Sequence, residues 1–253
     1  MLLKEQNLMV EELYKLEICK NKKEVKMNKV NFVFNQEKDM HNIWETATSK
    51  SYGYDFSSKM PPVLVEFCKN HSYKESKIFI KKFFSNIYSS KLIKIYLGSV
   101  NNSWKTIEKE YFQRLEKMTG KKLAVKKINA YMTIAPRCPY ILKEKAFMFN
   151  FFSNIPNTLS TAGHEILHLH FHEHYFEEIE KELGHQKTHD IKEALTVLLN
   201  LEFQDLWFVS DNGYESHKSL REFIKNEWKK DKNFDNLLNN CVNYMKQEIE
   251  YVK

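Results

Sequence analysis

The chain has 253 residues, of which 42% are hydrophobic and 14% aromatic, enough for one sizeable core, and this argues against a disordered or fibrous protein. Six Gly and five Pro leave few turn-formers, which disfavours a sandwich of many short strands and favours long helices joined by polar connections. The net charge of +6 comes from 39 basic and 33 acidic residues, with Arg only at 114, 137 and 221; scattered Lys among Glu is the pattern of a solvated surface, so no nucleic-acid partner is expected.

Leu2, Leu3, Leu8, Leu13, Leu16 and Ile18 stand at a loose helical spacing and predict a helix over 2–20, part of a helical extension over 1–28 with a Lys-rich link to Lys29. Charges interrupt this stretch every few positions, and nowhere do eighteen apolar residues follow one another; neither export nor a membrane partner is expected. Four Cys at 19, 68, 138 and 241 show no CxxC spacing, which fits free thiols in a reducing, cytoplasmic setting.

KVNFVFN (29–35) alternates like a strand, Pro61-Pro62 opens a helix, and a further amphipathic helix is expected over 74–88. Trp104, Ile107, Tyr111, Leu115 and Met118 recur at three and four and predict a helix that Thr119-Gly120 stops. Residues 123–134 and 145–152 are β-rich and are read as two strands, with an adjacent, antiparallel pairing as one arrangement. A helix is then expected from Asn157 to Leu183, stopped by Gly184, a second from about Thr188 to Trp207, and one or two more over the last forty residues. The fold class is α+β and helix-rich, in one domain over 1–253 with a metal-site region over 121–253.

The helix after the second strand carries His164-Glu165-Ile166-Leu167-His168. At 100° per residue the two His lie about 40° apart, one turn apart on one face. Both imidazoles can therefore reach one Zn2+, with Glu165 beside them to hold a metal-bound water. Phe171, Tyr175 and Ile179 continue that face as an apolar stripe and direct it toward protein. Two imidazoles leave the ion short of a ligand, and Glu193, with 24 residues between it and His168, on the next predicted helix, is the expected third. An alternative reading makes Asp190 and Glu193 a capping-box-like pair at the helix start, with Asp190 and His189 as spare ligands. Cys138 is a further alternative ligand. His172 lies about 40° beyond His168 and is read as a surface residue with a supporting or ligand role at the metal as the alternative, whereas His170 and His174 fall on the opposite side and are read as surface residues.

HEILH followed by a helical Glu resembles the gluzincin division of the zincin metallopeptidases over residues 145–207. The KEALTVLLN block and its spacing look like thimet-type oligopeptidases, and a strand before HEILHLHFH looks like the regulatory ImmA/IrrE-type peptidases. The chain is short for the first and lacks the Asn-x-Phe-Ala block and the helix-turn-helix expected with the second. Many gluzincins carry an Asp four residues after the ligand Glu; here that position is Val197, so support must come from elsewhere, with Asn200 a candidate. The resemblance implies a small antiparallel or mixed sheet beside the HExxH helix, a Zn2+ held by His164, His168 and Glu193, and Glu165 as general base in peptide hydrolysis. It also implies an oxyanion donor, for which Tyr214, His217 and Tyr140 are candidates, and a peptide or unfolded-protein substrate. That substrate would lie extended along the strand at 146–152. Two alternatives stand beside this: a non-peptidase regulatory or binding protein on the same scaffold, with structural or sensory zinc, and a deformylase-like amidase using Cys138, though the Gly-Cys-Leu setting of deformylases is missing.

Overall fold

The computed structural model describes residues 29–50 and 54–247; the helix expected over 2–20 lies outside the described residues. β1 (Lys29–Phe34) buries Val30 and Phe32 while Asn31 and Val33 stay partly open, the alternation read from the sequence. α1 (Gln36–Thr48) starts where the Asn35 side chain accepts from Lys38 N. α2 (Pro62–Asn70) has Pro62 in its first turn, where a missing N–H costs nothing. The stretch read as one helix over 74–88 is two, α3 (Tyr73–Phe83) and the single turn α4 (Ser85–Tyr88), because the chain leaves helical geometry at Phe84.

α5 (Leu92–Thr119) is longer than the expected 104–118. Its extra turns are held by packing, since Ile93 and Val100 are buried, and it ends at Gly120 in a left-handed conformation with φ 68°, which glycine adopts without a Cβ clash. β2 (Lys127–Thr133), β3 (Tyr140–Ile141) and β4 (Ala146–Asn150) follow. The helical remainder is α6 (Ile155–His174), α7 (Phe176–Leu183), α8 (His185–Ala194), α9 (Val197–Glu202), α10 (Lys218–Lys230) and α11 (Phe234–Gln247). The helix expected to run through to Leu183 breaks at Tyr175, whose buried side chain reaches back to donate to Thr119 O at 3.1 Å. The next expected helix breaks at Leu195 and Thr196, where the Thr196 hydroxyl takes up Glu193 O at 2.8 Å.

The four described strands form one mixed sheet in the order β1-β2-β4-β3. β1 pairs with β2, and β2 with β4, in parallel, while β3 runs antiparallel to β4. The strands over 123–134 and 145–152 are therefore adjacent but parallel. The physical reason lies in the link between them. The buried Asp39 carboxylate accepts from Thr133 Oγ and Ile134 N, both at 2.7 Å, and turns the chain off the sheet. It then comes back as β3 before β4 begins. A second consequence corrects the expected substrate edge. One side of β4 pairs with β2 and the other with β3, extended by Met148 N donating to Pro139 O at 2.9 Å, so β4 offers no peptide a pairing edge over that register.

One face of the sheet makes the main core, and on β4 the other face, with Ala146 and Met148, is buried as well. Val30, Phe32, Ile128, Ala130, Met132, Phe147 and Phe149 join Trp104, Tyr111 and Leu115 of α5 and Ala162 and Ile166 of α6 in the main core. Phe32 packs edge-on to both Phe147 and Phe149. A smaller core lies under α1, α2 and α3, where Met40, Ile43, Leu64, Cys68 and Ile80 meet Ile134 and Ala135 beyond β2. α6 thus lies on the sheet with its C-terminal half framed by α7 and α8, which is what brings the two sequence-distant parts of the site together.

Candidate metal centre

α6 enters the core at an unusually close approach. A Cβ on Gly163 would stand 2.6 Å from Trp207 Cη2 and 3.2 Å from Tyr111 Cε2, so glycine is required immediately before His164. Tyr111 Oη donates to Gly163 O at 2.6 Å and fixes the helix at that height. One face of α6 then carries His164 and His168, with ring centroids 4.3 Å apart. α8 returns across it and places the Glu193 carboxylate against both: Oε2 lies 3.8 Å from His164 Nε2 and 3.3 Å from His168 Nε2.

Among the described residues, this is the group of three His, Cys, Asp or Glu side chains whose ligand atoms all lie within 4.8 Å of one another. The capping alternative for Glu193 fails, because α8 starts at His185 and Asp190 is mid-helix, held by Gln186 Nε2 at 2.9 Å and His217 Nε2 at 3.1 Å. His189 is buried with Nε2 3.4 Å from Glu193 Oε1. Cys138 lines the same cleft but stands outside the group of three.

The carboxylate is divided between two tasks. Oε1 accepts from Lys192 Nζ at 2.6 Å, and Lys192, itself buried, places its ammonium 4.5 Å from the centre of the Tyr140 ring. Oε2 is left toward the imidazoles. Burial opposes ionisation of Glu193, yet His168, Lys192 and His164 together hold it well below the ordinary carboxylate range. Burial, with Lys192 and His164 as neighbouring cations, pushes His168 well below the ordinary imidazole value, so this ring is neutral and able to donate a lone pair.

His164 is oriented by a residue that sequence reasoning missed. Asp211 Oδ2 lies 2.6 Å from His164 Nδ1; a carboxylate only accepts, so Nδ1 carries a proton and Nε2 is the ring atom turned toward the cluster. Burial works against protonation of His164, but the Asp211 bond and charge, with Glu165 and Glu193, raise it to about 9. Asp211 is itself gripped on all sides. Thr196 Oγ lies 3.0 Å from its Oδ1, Arg221 pairs with Oδ1 at 3.1 Å, and Asn200 exchanges two hydrogen bonds with its backbone at 2.7 and 2.8 Å. Gly213 (φ 61°) leaves the room that Arg221 occupies, since a Cβ there would meet the guanidinium at 2.7 Å. The support expected from elsewhere than position 197 comes from Asp211, on the loop before α10, and Asn200 acts by holding the Asp211 backbone.

A cleft of about 530 Å³ opens on the cluster, lined by His164, Glu165, His168 and Glu193 and walled by the segment from Pro136 to Tyr140, with Tyr214 opposite. Glu165 is buried and its Oε2 has no hydrogen-bond partner among the described residues; burial pushes its carboxyl up to about 7 despite His164. Burial, with Glu193 and Glu165 nearby, raises the Tyr214 hydroxyl far above its usual value, so it stays a proton donor. Tyr140 Oη takes His172 at 3.2 Å and Lys192 at 3.3 Å. His217 is turned to Asp190. His172 stacks on Phe176 at 4.2 Å and takes no place in the cluster. The surface reading of His170 is corrected: it is fully buried, facing His174 with centroids 4.6 Å apart, because the back of α6 packs under the 119–122 turn. Burial also raises the Cys138 thiol to about 12.

One buried and one half-buried imidazole with a buried carboxylate at these separations fit a divalent transition metal. Nδ1 of His168 lacks a hydrogen-bond partner among the described residues and Nε2 meets only the Glu193 carboxylate, 3.3 Å away, an arrangement that is costly in a buried polar group unless a ligand takes the lone pair. A His2Glu donor set is one that zinc accepts, as do other first-row divalent metals. No family model matches the chain, and no curated protein and no solved structure matches it.

Proposed function

We propose that this chain is a zinc-dependent metallopeptidase of the zincin, gluzincin type. The observation that carries the reading is the convergence of His164, His168 and Glu193 from two helices on one point, beside an otherwise unpartnered Glu165 facing an open cleft. In this reading His164, His168 and Glu193 hold the ion, and Asp211 fixes the tautomer of His164. Bound zinc supplies Lewis-acid polarisation of a carbonyl and acidifies water.

Glu165 removes a proton from the attacking water and delivers it to the leaving nitrogen. Burial raises that carboxyl in the metal-free chain, toward the range in which a group can both take up and give back a proton. Tyr214, protonated and lining the cleft, is the donor best suited to the developing oxyanion. The substrate lies along the outer edge of β3, whose segment walls the cleft, rather than along β4. Main-chain pairing there gives broad specificity.

The experiment is Glu165→Gln assayed on a mixed peptide library beside metal analysis. Hydrolysis should fall at least about a hundredfold, the lower end of what a positioned base contributes, with zinc content retained. Undiminished hydrolysis in the variant would reject the assignment.

A further inference from the structure

We propose that the corner formed by α3, α4 and the start of α5 docks on an anionic lipid bilayer. Residues 73–95 carry six Lys, at 74, 77, 81, 82, 91 and 94, against Glu75 as the one acid. Nearly all of the chain's net charge of +6 is thus concentrated in this short stretch. Among the described residues Lys77 is paired with Glu37, while Lys74, Lys81, Lys82, Lys91 and Lys94 enter no ion pair.

The same stretch holds four of the nine large apolar side chains that stand exposed among the described residues. They are Ile78 (72% exposed), Phe83 (40%), Leu92 (60%) and Ile95 (62%). A core-facing helix has no use for these positions. On α3, Ile78 points directly away from buried Ser76 and Ile80, and Lys74, Lys81 and Lys82 fall within about 60° of it. On α5, Ile95 points away from buried Ile93 and Val100, with Lys91 and Leu92 within about 60°. The short stretch 84–91, which includes the single turn α4, is all that separates the two helices, so the two sets lie close together along the chain.

The chemistry selects lipid over the other acidic surfaces. Aliphatic side chains that project with the lysines gain by entering the boundary between headgroups and acyl chains, while the lysine stems reach the lipid phosphates. A nucleic acid offers no apolar phase to Ile78 or Ile95, and its recognition favours Arg. The three Arg of the chain lie elsewhere, each engaged with a carboxylate. The proposal is independent of the peptidase reading and needs no metal.

The full-length protein is sedimented with vesicles of phosphatidylcholine alone and of phosphatidylcholine mixed with phosphatidylglycerol, at rising salt. It should co-sediment with the anionic vesicles only, and less as salt rises. K81Q/K82Q should lower the partition coefficient roughly twentyfold, about fivefold per lysine near a charged surface. I78S/I95S should lower it at least tenfold at unchanged charge, with an unchanged circular dichroism spectrum. No sedimentation, or equal sedimentation with neutral vesicles, overturns the proposal. So does tight binding of a DNA duplex that I78S/I95S leaves intact, or a dimer that this variant dissociates.

Discussion

Replacing Gly163 by Ala should destabilise the protein, although the same change is normally favourable inside a helix. The new Cβ would lie 2.6 Å and 3.0 Å from Trp207 Cη2 and Cζ3 and 3.2 Å from Tyr111 Cε2. Neither ring can retreat: both are buried, Trp207 stacks on Phe203, and Tyr111 is tied to Gly163 O. Overpacking of a rigid core costs about 1–3 kcal/mol, and contact with two fixed rings belongs at the upper end. Helix propensity returns about 1 kcal/mol. The net loss is about 2 kcal/mol, or roughly 4–8 °C in Tm for a chain of this size. Gly98 is the internal control, since a Cβ there meets nothing within 4 Å near the start of α5; Gly98→Ala should raise Tm by about 2–4 °C. Thermal melts of both variants against the wild type decide the matter. Equal stabilisation by the two substitutions would refute the close packing of α6 on Trp207 and Tyr111.

Asp211→Ala should weaken zinc binding about 10–100-fold in a chelator competition, because His164 loses the acceptor that fixes its tautomer; unchanged affinity would show that Asp211 does not orient the ring. The metal-free protein should lose stability as pH rises above 7. His164, raised from 6.5 to about 9, contributes stability that is complete below about 6.5 and is lost as pH passes 9. Asp211, lowered from 3.8 to about 2 by His164 and Arg221 against the effect of burial, contributes stability present above about 3.8 and lost as pH falls through 2. Melts of the metal-free Asp211→Asn variant should be flatter between pH 7 and 9, and a slope equal to the wild type would contradict the pairing.

How much of this was legible in the sequence depends on the range over which each feature is encoded. The His164, Glu165 and His168 face follows from helical geometry within two turns, so spacing alone reveals it. Glu193 needs a returning helix, and its amphipathic context was enough to nominate it. Asp211 was not legible: it sits in Asp-Asn-Gly, which reads as an ordinary turn, and its grip on His164 depends on Thr196, Asn200 and Arg221 arriving from separate elements. Lys192 was hidden as well, because a charged residue on an amphipathic helix is normally solvent-facing, and only the adjacent carboxylate and Tyr140 ring explain its burial. β3 is two residues long and carries no alternation to detect. That omission is also why the pairing of the β-rich segments was misread, since a parallel neighbour needs a return path that β3 supplies. The first turns of α5 contain Gly98 and β-branched residues and are helical through packing rather than propensity.

The central claim is that His164, His168 and Glu193 form one zinc site, and metal analysis of the purified chain against single-ligand variants tests it most directly. The wild type should hold about one zinc per chain, and His164→Ala, His168→Ala and Glu193→Ala should each lose most of it, since a water-bearing site cannot spare one of three protein ligands. Cys138→Ser should keep it in full. Stoichiometric zinc retained after removal of His168 or Glu193, or its loss in Cys138→Ser, would contradict the account.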